Sequence, residues 1–182
     1  LTIDISFYRI YKIIFSEIKK KKITIMTYTN PPIESSYQEH DLGRTLYDAV
    51  MQHKPKIIID FGVLFGYSTV VMAMAVDELV KESRGEYQAK IIVYDLFEKY
   101  PHKHATKKEF MDNLAIYGLA SYVEVREKDF TEWIQNPDVF DLMHLDISNK
   151  GDTIETLYKG IEDQIEKGAI VLFEGGTQER DN

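Results

Sequence analysis

The segment Asp60-Phe61-Gly62-Val63-Leu64-Phe65-Gly66-Tyr67-Ser68 puts a carboxylate, two glycines and a hydroxyl directly after the apolar run Ile57-Ile58-Ile59 and ahead of a helical pattern. A strand, a glycine turn and a helix start in succession bring backbone N–H groups and a helix N-terminus close to a ligand. The glycines stand where a side chain would block that approach. Asp60 sets the sign of the ligand. A carboxylate two residues before the first glycine repels a pyrophosphate and favours a cation.

Further acids fall at comparable places. Asp95, Asp146 and Glu174 each follow a predicted strand, and Asp129 lies just beyond another. Any single one is accounted for by acids that begin loops and cap helices. Together they predict a rim of carboxylates on one crevice, attractive to a sulfonium and an ammonium, with acceptors for ribose hydroxyls and an adenine amine.

These residues must be positioned by alternating strands and helices. Leu42, Leu46 and Val50 mark a helix that leads into a first strand at about 56–61, and a helix with Val71, Met74, Ala75 and Leu79 on its buried side runs from near Ser68 to Lys81. Ser68 is placed to cap that helix. A second strand at 91–94 ends at Asp95, Thr106 and Glu109 have capping-box spacing, and Gly118 stops the helix they start. Val123 and Val125 alternate in a third strand, 140–145 form a fourth and 169–173 a fifth. Between the last two, Ile154, Leu157, Tyr158, Ile161 and Ile165 form a helical stripe that Gly168 terminates. The alternation predicts an α/β fold with a doubly wound, mostly parallel sheet and a ligand crevice at the carboxyl ends of its strands.

The chain has 182 residues, 44% of them hydrophobic, which is enough for one substantial core. A formal net charge of −8 argues against nucleic-acid binding by phosphate neutralisation. The absence of cysteine excludes disulfides, thiolate metal sites and cysteine nucleophiles. Ile3, Phe7, Ile10, Tyr11, Ile14 and Ile18 recur at helical spacing, and Asp4, Arg9, Lys12 and Glu17 break the run, so residues 1–30 read as an amphipathic helix or extension rather than a membrane span. The chain opens on Leu1, and Met26 is a candidate translation start. Residues 31–182 then form the main domain. A cytoplasmic location is the default, and assembly as a homo-oligomer is left open.

The pattern acid-x-Gly-x-x-x-Gly-Tyr-Ser, carried here by Asp60, Gly62, Gly66, Tyr67 and Ser68, resembles the first motif of class I S-adenosylmethionine-dependent methyltransferases, closest to the small O-methyltransferases. The similarity extends from about residue 40 to the end of the chain. It implies a Rossmann-like methyltransferase fold of three α/β/α layers, S-adenosylmethionine as cofactor and a small-molecule acceptor. By that resemblance Asp60 and the turn from Gly62 to Ser68 face the methionine portion, Asp95 accepts the two ribose hydroxyls, and Asp129 with Phe130 flanks the adenine. Asp146 would lie beside the transferring methyl. Catechol-type members hold a divalent metal with an acid after the fourth strand and an Asp-Asn pair after the fifth; here the corresponding residues are Asp146 and Glu174-Gly175, which leaves Asp146 and Glu174 as magnesium ligands with waters. Members of the family also continue past the fifth strand into further edge strands, whereas this sequence stops at Asn182.

Methyl transfer from a sulfonium is an in-line displacement, so the protein supplies alignment and exclusion of water. A hydroxyl acceptor still needs its proton removed. Asp146 is the first candidate base and His144, two residues earlier on the same strand face, the second, although a strand histidine is more often packed structure. His102 and His104 have the spacing of two metal ligands but no completing group nearby, and Tyr37, His40 and Trp133 are candidates for closing over an acceptor. Two other functions compete: an NAD-type oxidoreductase, whose usual Gly-x-Gly-x-x-Gly is missing, and a non-catalytic methyltransferase-like binding domain.

Overall fold

Ile57–Phe61 forms β1, the middle strand of a five-stranded sheet in the computed structural model of the chain. The structure describes residues 28–38, 41–101, 104–147 and 151–173. The amphipathic helix expected before residue 28, His40, His102 and Glu174 lie outside these residues.

Lys90–Tyr94 (β2) and Leu142–Leu145 (β4) flank β1, with Val123–Arg126 (β3) and Ile170–Phe173 (β5) on the edges, in the order β3-β2-β1-β4-β5. All four pairings are parallel. Parallel neighbours require crossovers that cover both faces, which is why β1, β2 and β4 are almost wholly apolar. The helices that cover them are Leu42–His53 (α1), Tyr67–Glu82 (α2), Lys107–Ile116 (α3), the single turn Phe130–Trp133 (α4) and Gly151–Glu166 (α5).

Side-chain alternation divides the core in two. Ile58, Ile91, Val93 and Leu142 pack with Leu46 and Val50 of α1, Val71 and Ala75 of α2 and Phe110 and Leu114 of α3. Ile59, Phe61, Ile92, Tyr94, Met143 and Leu145 pack on the other face against Trp133, Leu157 and Ile161. The doubly wound three-layer arrangement expected from the sequence is the one observed. The capping box at the start of α3 is also present, with Thr106 and Glu109 each serving the other's backbone N–H.

The short helix α4 is held by a polar clamp on the second face. Trp133 Nε1 and Arg126 Nη1 donate to the two oxygens of Asp138 at 3.0 and 2.9 Å, and the Tyr94 hydroxyl donates to Asp138 as well. The Arg126 guanidinium lies 5.7 Å from the centre of the Tyr94 ring, and Phe61 stacks on Tyr94 at 4.8 Å and meets Trp133 edge-to-face at 5.0 Å. Burial, then the bond to Asp138, pushes the Tyr94 phenol up to about 12. Burial also works to raise the Asp138 carboxyl, but the hydrogen bonds from Tyr94, Arg126 and Trp133 outweigh it and hold the group below its ordinary value of 3.8.

A depressed carboxyl stabilises the fold above its unfolded pKa and loses that contribution as pH falls through its folded pKa. Asp138→Asn should therefore cost about 1–2 kcal/mol at neutral pH, the modest end for bonds to a charged group because the side chain is 34% exposed. In urea denaturation the gap between wild type and variant should narrow as pH drops below 3.8. A gap independent of pH would contradict the clamp.

Candidate active site

Strand order reverses at β1, and the carboxyl ends of β1, β2 and β4 open there onto a cavity of about 450 Å³. That volume suits a small molecule, and its place is the usual crevice of an open α/β sheet. Gly62 and Leu64 of the turn after β1 form one side. Phe61, Tyr94, Leu96, Phe130 and Ile147 supply apolar surface, and among the described residues Asp95, Asp129 and Asp146 bring three carboxylates against one ammonium, that of Lys128.

The turn is built so that backbone can close on backbone. Gly62 has φ +73°, and a Cβ there would lie 2.3 Å from the carbonyl oxygen of Asp146, so only glycine lets β1 and β4 end this close together. Leu64 also adopts a positive φ of 47°, in the left-handed region that a branched side chain rarely occupies. Gly66, at φ +89°, then starts α2 and donates to the Val63 carbonyl at 2.7 Å.

Asp95 is fixed by that turn. Its two oxygens accept the N–H groups of Val63 at 2.8 Å and Phe97 at 2.7 Å, and each keeps lone-pair capacity toward the cavity. Asp129 caps α4 by accepting the Thr131 N–H at 2.8 Å, which sets Phe130 against the cavity. Asp146 lies where β4 meets the Gly62 turn, its N–H on the Phe61 carbonyl at 3.0 Å. Its Oδ2 accepts the Tyr37 hydroxyl at 3.2 Å.

Asp60, His144, Tyr67 and Ser68 sit beneath this cavity rather than on it. Asp60 is fully buried: Ser68 Oγ and Thr69 Oγ1 donate to its Oδ2 at 2.9 and 2.5 Å, and His144 Nδ1 lies 2.7 Å from its Oδ1. The expected open rim at Asp60 is thus corrected. Strand alternation turns this side chain toward α1 and α2, away from the face that carries Phe61. Ser68 does not cap α2; the N-cap is Gly66, without a side-chain bond, and the Ser68 hydroxyl is committed to Asp60. Tyr67 is also buried away from the cavity, because its hydroxyl donates to Asn30 Oδ1 at 2.7 Å and pairs with the Tyr28 hydroxyl at 3.2 Å. Trp133 is core, bound to Asp138, and not a cover for an acceptor. His104 lines the cavity.

Among the described residues no group of three or more His, Asp or Glu side chains is placed to hold a metal ion. Of the magnesium pair expected at Asp146 and Glu174, Asp146 lines the cavity and Glu174 lies outside the described residues. No helix among those residues is long and apolar enough to cross a membrane. Sequence reasoning missed Thr69 as a partner of Asp60, which its place one residue after Ser68 would have signalled. It also missed Tyr37 as a partner of His144, for which no local signal exists across 107 residues.

The chain matches a family model described as methyltransferase domain over residues 59–174. No curated protein matches it by sequence. Among solved structures, the methyltransferase PaMTH1 of Podospora anserina, determined with SAH bound, is 18% identical with a TM-score of 0.55, over 91% of this chain and 69% of that one. A precorrin 8W decarboxylase of Methanobacterium thermoautotrophicum is 15% identical with a TM-score of 0.52, over 84% and 70%. An O-methyltransferase of Streptomyces achromogenes, in complex with SAM, is 17% identical with a TM-score of 0.49, over 71% and 53%. The present chain spans only about half the length of that last protein, and at these identities the likeness is one of fold. The glycine turn, β4 and β5 all fall within the matched span, and the chain belongs to the methyltransferase-domain family.

Proposed function

We propose that the chain is an S-adenosylmethionine-dependent methyltransferase that methylates an oxygen of a small molecule. The observation that carries this reading is the cavity itself: three carboxylates and an aromatic wall around a turn too tight for any residue but glycine. Such a site repels a phosphate-bearing coenzyme and accommodates a sulfonium beside a flat base. The turn's Gly62 and Gly66 do not have the spacing of the Gly-x-Gly-x-x-Gly dinucleotide fingerprint, which weighs the same way against an NAD-type oxidoreductase.

The residues divide the work by position. Asp95, already immobilised by two backbone N–H groups, presents its free lone pairs to the ribose hydroxyls, and Phe130 and Leu96 offer apolar surface to the adenine. The turn at Gly62 brings backbone against the methionine portion, while Asp60, Gly66, Tyr67 and Ser68 act from below by shaping that turn. When bound, the cofactor supplies an activated methyl group. Asp146, at the junction of β4 and the turn, is placed to take the proton of an acceptor hydroxyl. His144 lies two hydrogen bonds further back, through the Tyr37 hydroxyl, and is not among the residues that line the cavity.

Calorimetric titration with S-adenosylhomocysteine should show saturable binding by the wild-type protein. Asp95→Ala should weaken it at least about tenfold, the loss expected for hydrogen bonds to a charged group. A folded wild-type protein that ignores S-adenosylhomocysteine, or that binds a nicotinamide coenzyme instead, would overturn the proposal. Gly62→Ala should lower unfolding stability by about 1–3 kcal/mol through its positive φ and the clash with Asp146, and weaken the same binding. Unchanged stability in thermal unfolding would show that the turn is not under this constraint.

A further inference from the structure

A line of four polar side chains runs from the floor of the domain to the cavity. His144 Nδ1 lies 2.7 Å from Asp60 Oδ1, His144 Nε2 lies 2.8 Å from the Tyr37 hydroxyl, and that hydroxyl donates to Asp146 Oδ2 at 3.2 Å. Asp60 and His144 are lateral neighbours, paired in register between β1 and β4, and both are buried. Tyr37 comes from an unrelated part of the chain, the single 3₁₀ turn Ser36–Gln38, and is itself buried, with its ring edge-on to the imidazole at 5.6 Å.

We infer that Tyr37 is a positioning residue that fixes the carboxylate of Asp146 by linking it to the buried Asp60–His144 pair. Asp60 accepts two hydroxyls on Oδ2 and faces His144 Nδ1 with Oδ1, and with Nδ1 donating to that oxygen the imidazole is held in one plane. Nε2 then faces the Tyr37 oxygen along a fixed direction. The Tyr37 hydroxyl has one hydrogen, and its bond to Asp146 uses it, so Nε2 donates to the Tyr37 oxygen, both ring nitrogens carry a hydrogen, and one rotamer of the Asp146 carboxylate completes the line. The ring of Tyr37 cannot drift to relax the arrangement, since it also packs edge-on against Tyr67 at 6.0 Å.

Two neighbouring side chains, Gln38 and Tyr67, brace the approach of this segment. Gln38 Nε2 donates to the carbonyls of Pro31 and Ile33, at 3.2 and 2.5 Å, folding residues 31–38 upon themselves. Tyr67 holds Asn30 from below. Tyr37 is thereby delivered to the end of β4 as a preset group. The value of fixing Asp146 rests on the proposed function, because that carboxylate is the group assigned to the acceptor's proton; the hydrogen-bonded line stands apart from it.

The test uses the whole protein labelled with ¹⁵N in its histidine rings, with the His144 signals identified by their loss in His144→Gln. Asp146→Asn should shift the Nε2 resonance of His144 when Tyr37 is present and leave it in place in a Tyr37→Phe background. An equal shift in both backgrounds, or none in either, would overturn the inference. Should Tyr37→Phe fail to fold, Asp146→Asn alone decides, since an unmoved Nε2 resonance removes the link. Calorimetry with S-adenosylhomocysteine on the same samples separates the two claims: absent binding with an intact Nε2 shift rejects the function and keeps the link, while binding without the shift does the reverse.

Discussion

A carboxylate with no exposure to solvent, Asp60, sits at the centre of this structure, and the rest of the site is arranged around its need for donors. Leaving water is costly for such a group unless its oxygens are satisfied. Ser68 and Thr69 from the first turn of α2 and His144 from β4 provide the donors, so one side chain ties the central strand to the helix after it and to the strand beside it. Strand alternation carries the consequence onward. With Asp60 turned toward α1 and α2, Phe61 must face the other layer, and Gly62 arrives at the crevice with its backbone against Asp146.

Two of the carboxylates that reach the cavity, Asp95 and Asp129, are rigid for a different reason: backbone N–H groups of the turns hold them. Asp95 is held by Val63 and Phe97, and Asp129 by the turn of α4 that Asp138 and Arg126 clamp in place. Preorganised acceptors lose little on meeting a ligand, since their ordering cost was met in folding. The tyrosine cluster formed by Tyr28, Tyr37, Tyr47 and Tyr67 serves the same end on the opposite side, and it presses close enough that a Cβ at Gly43 would meet the Tyr67 and Tyr28 hydroxyls at 2.2 and 2.3 Å.

Periodicity made the fold legible. The apolar runs at 57–59 and 91–93, the Thr106 and Glu109 pair, and the α5 stripe with Leu157 and Ile161 buried all fall where spacing placed them. The positions of Asp95, Asp129 and Asp146 on the crevice were legible too, because each follows a strand whose carboxyl end must lie there. What alternation does not reveal is which of two buried layers a polar strand residue faces. Asp60 therefore read as part of the rim when it is part of the floor, and Ser68 read as a cap when its hydroxyl is drawn to Asp60. Tyr37 was legible only as an aromatic near the site, since its partners His144 and Asp146 come from the far end of the chain.

The central claim is that the carboxylates around the Gly62 turn receive a positively charged methyl donor and not a phosphate-bearing coenzyme. A crystal structure of the protein grown with S-adenosylhomocysteine and phosphate together tests it most directly. The account predicts the nucleoside in the cavity, with its ribose hydroxyls on Asp95 and its amino acid portion above Gly62. A phosphate ion seated among Asp95, Asp129 and Asp146, or the nucleoside bound elsewhere, would contradict it.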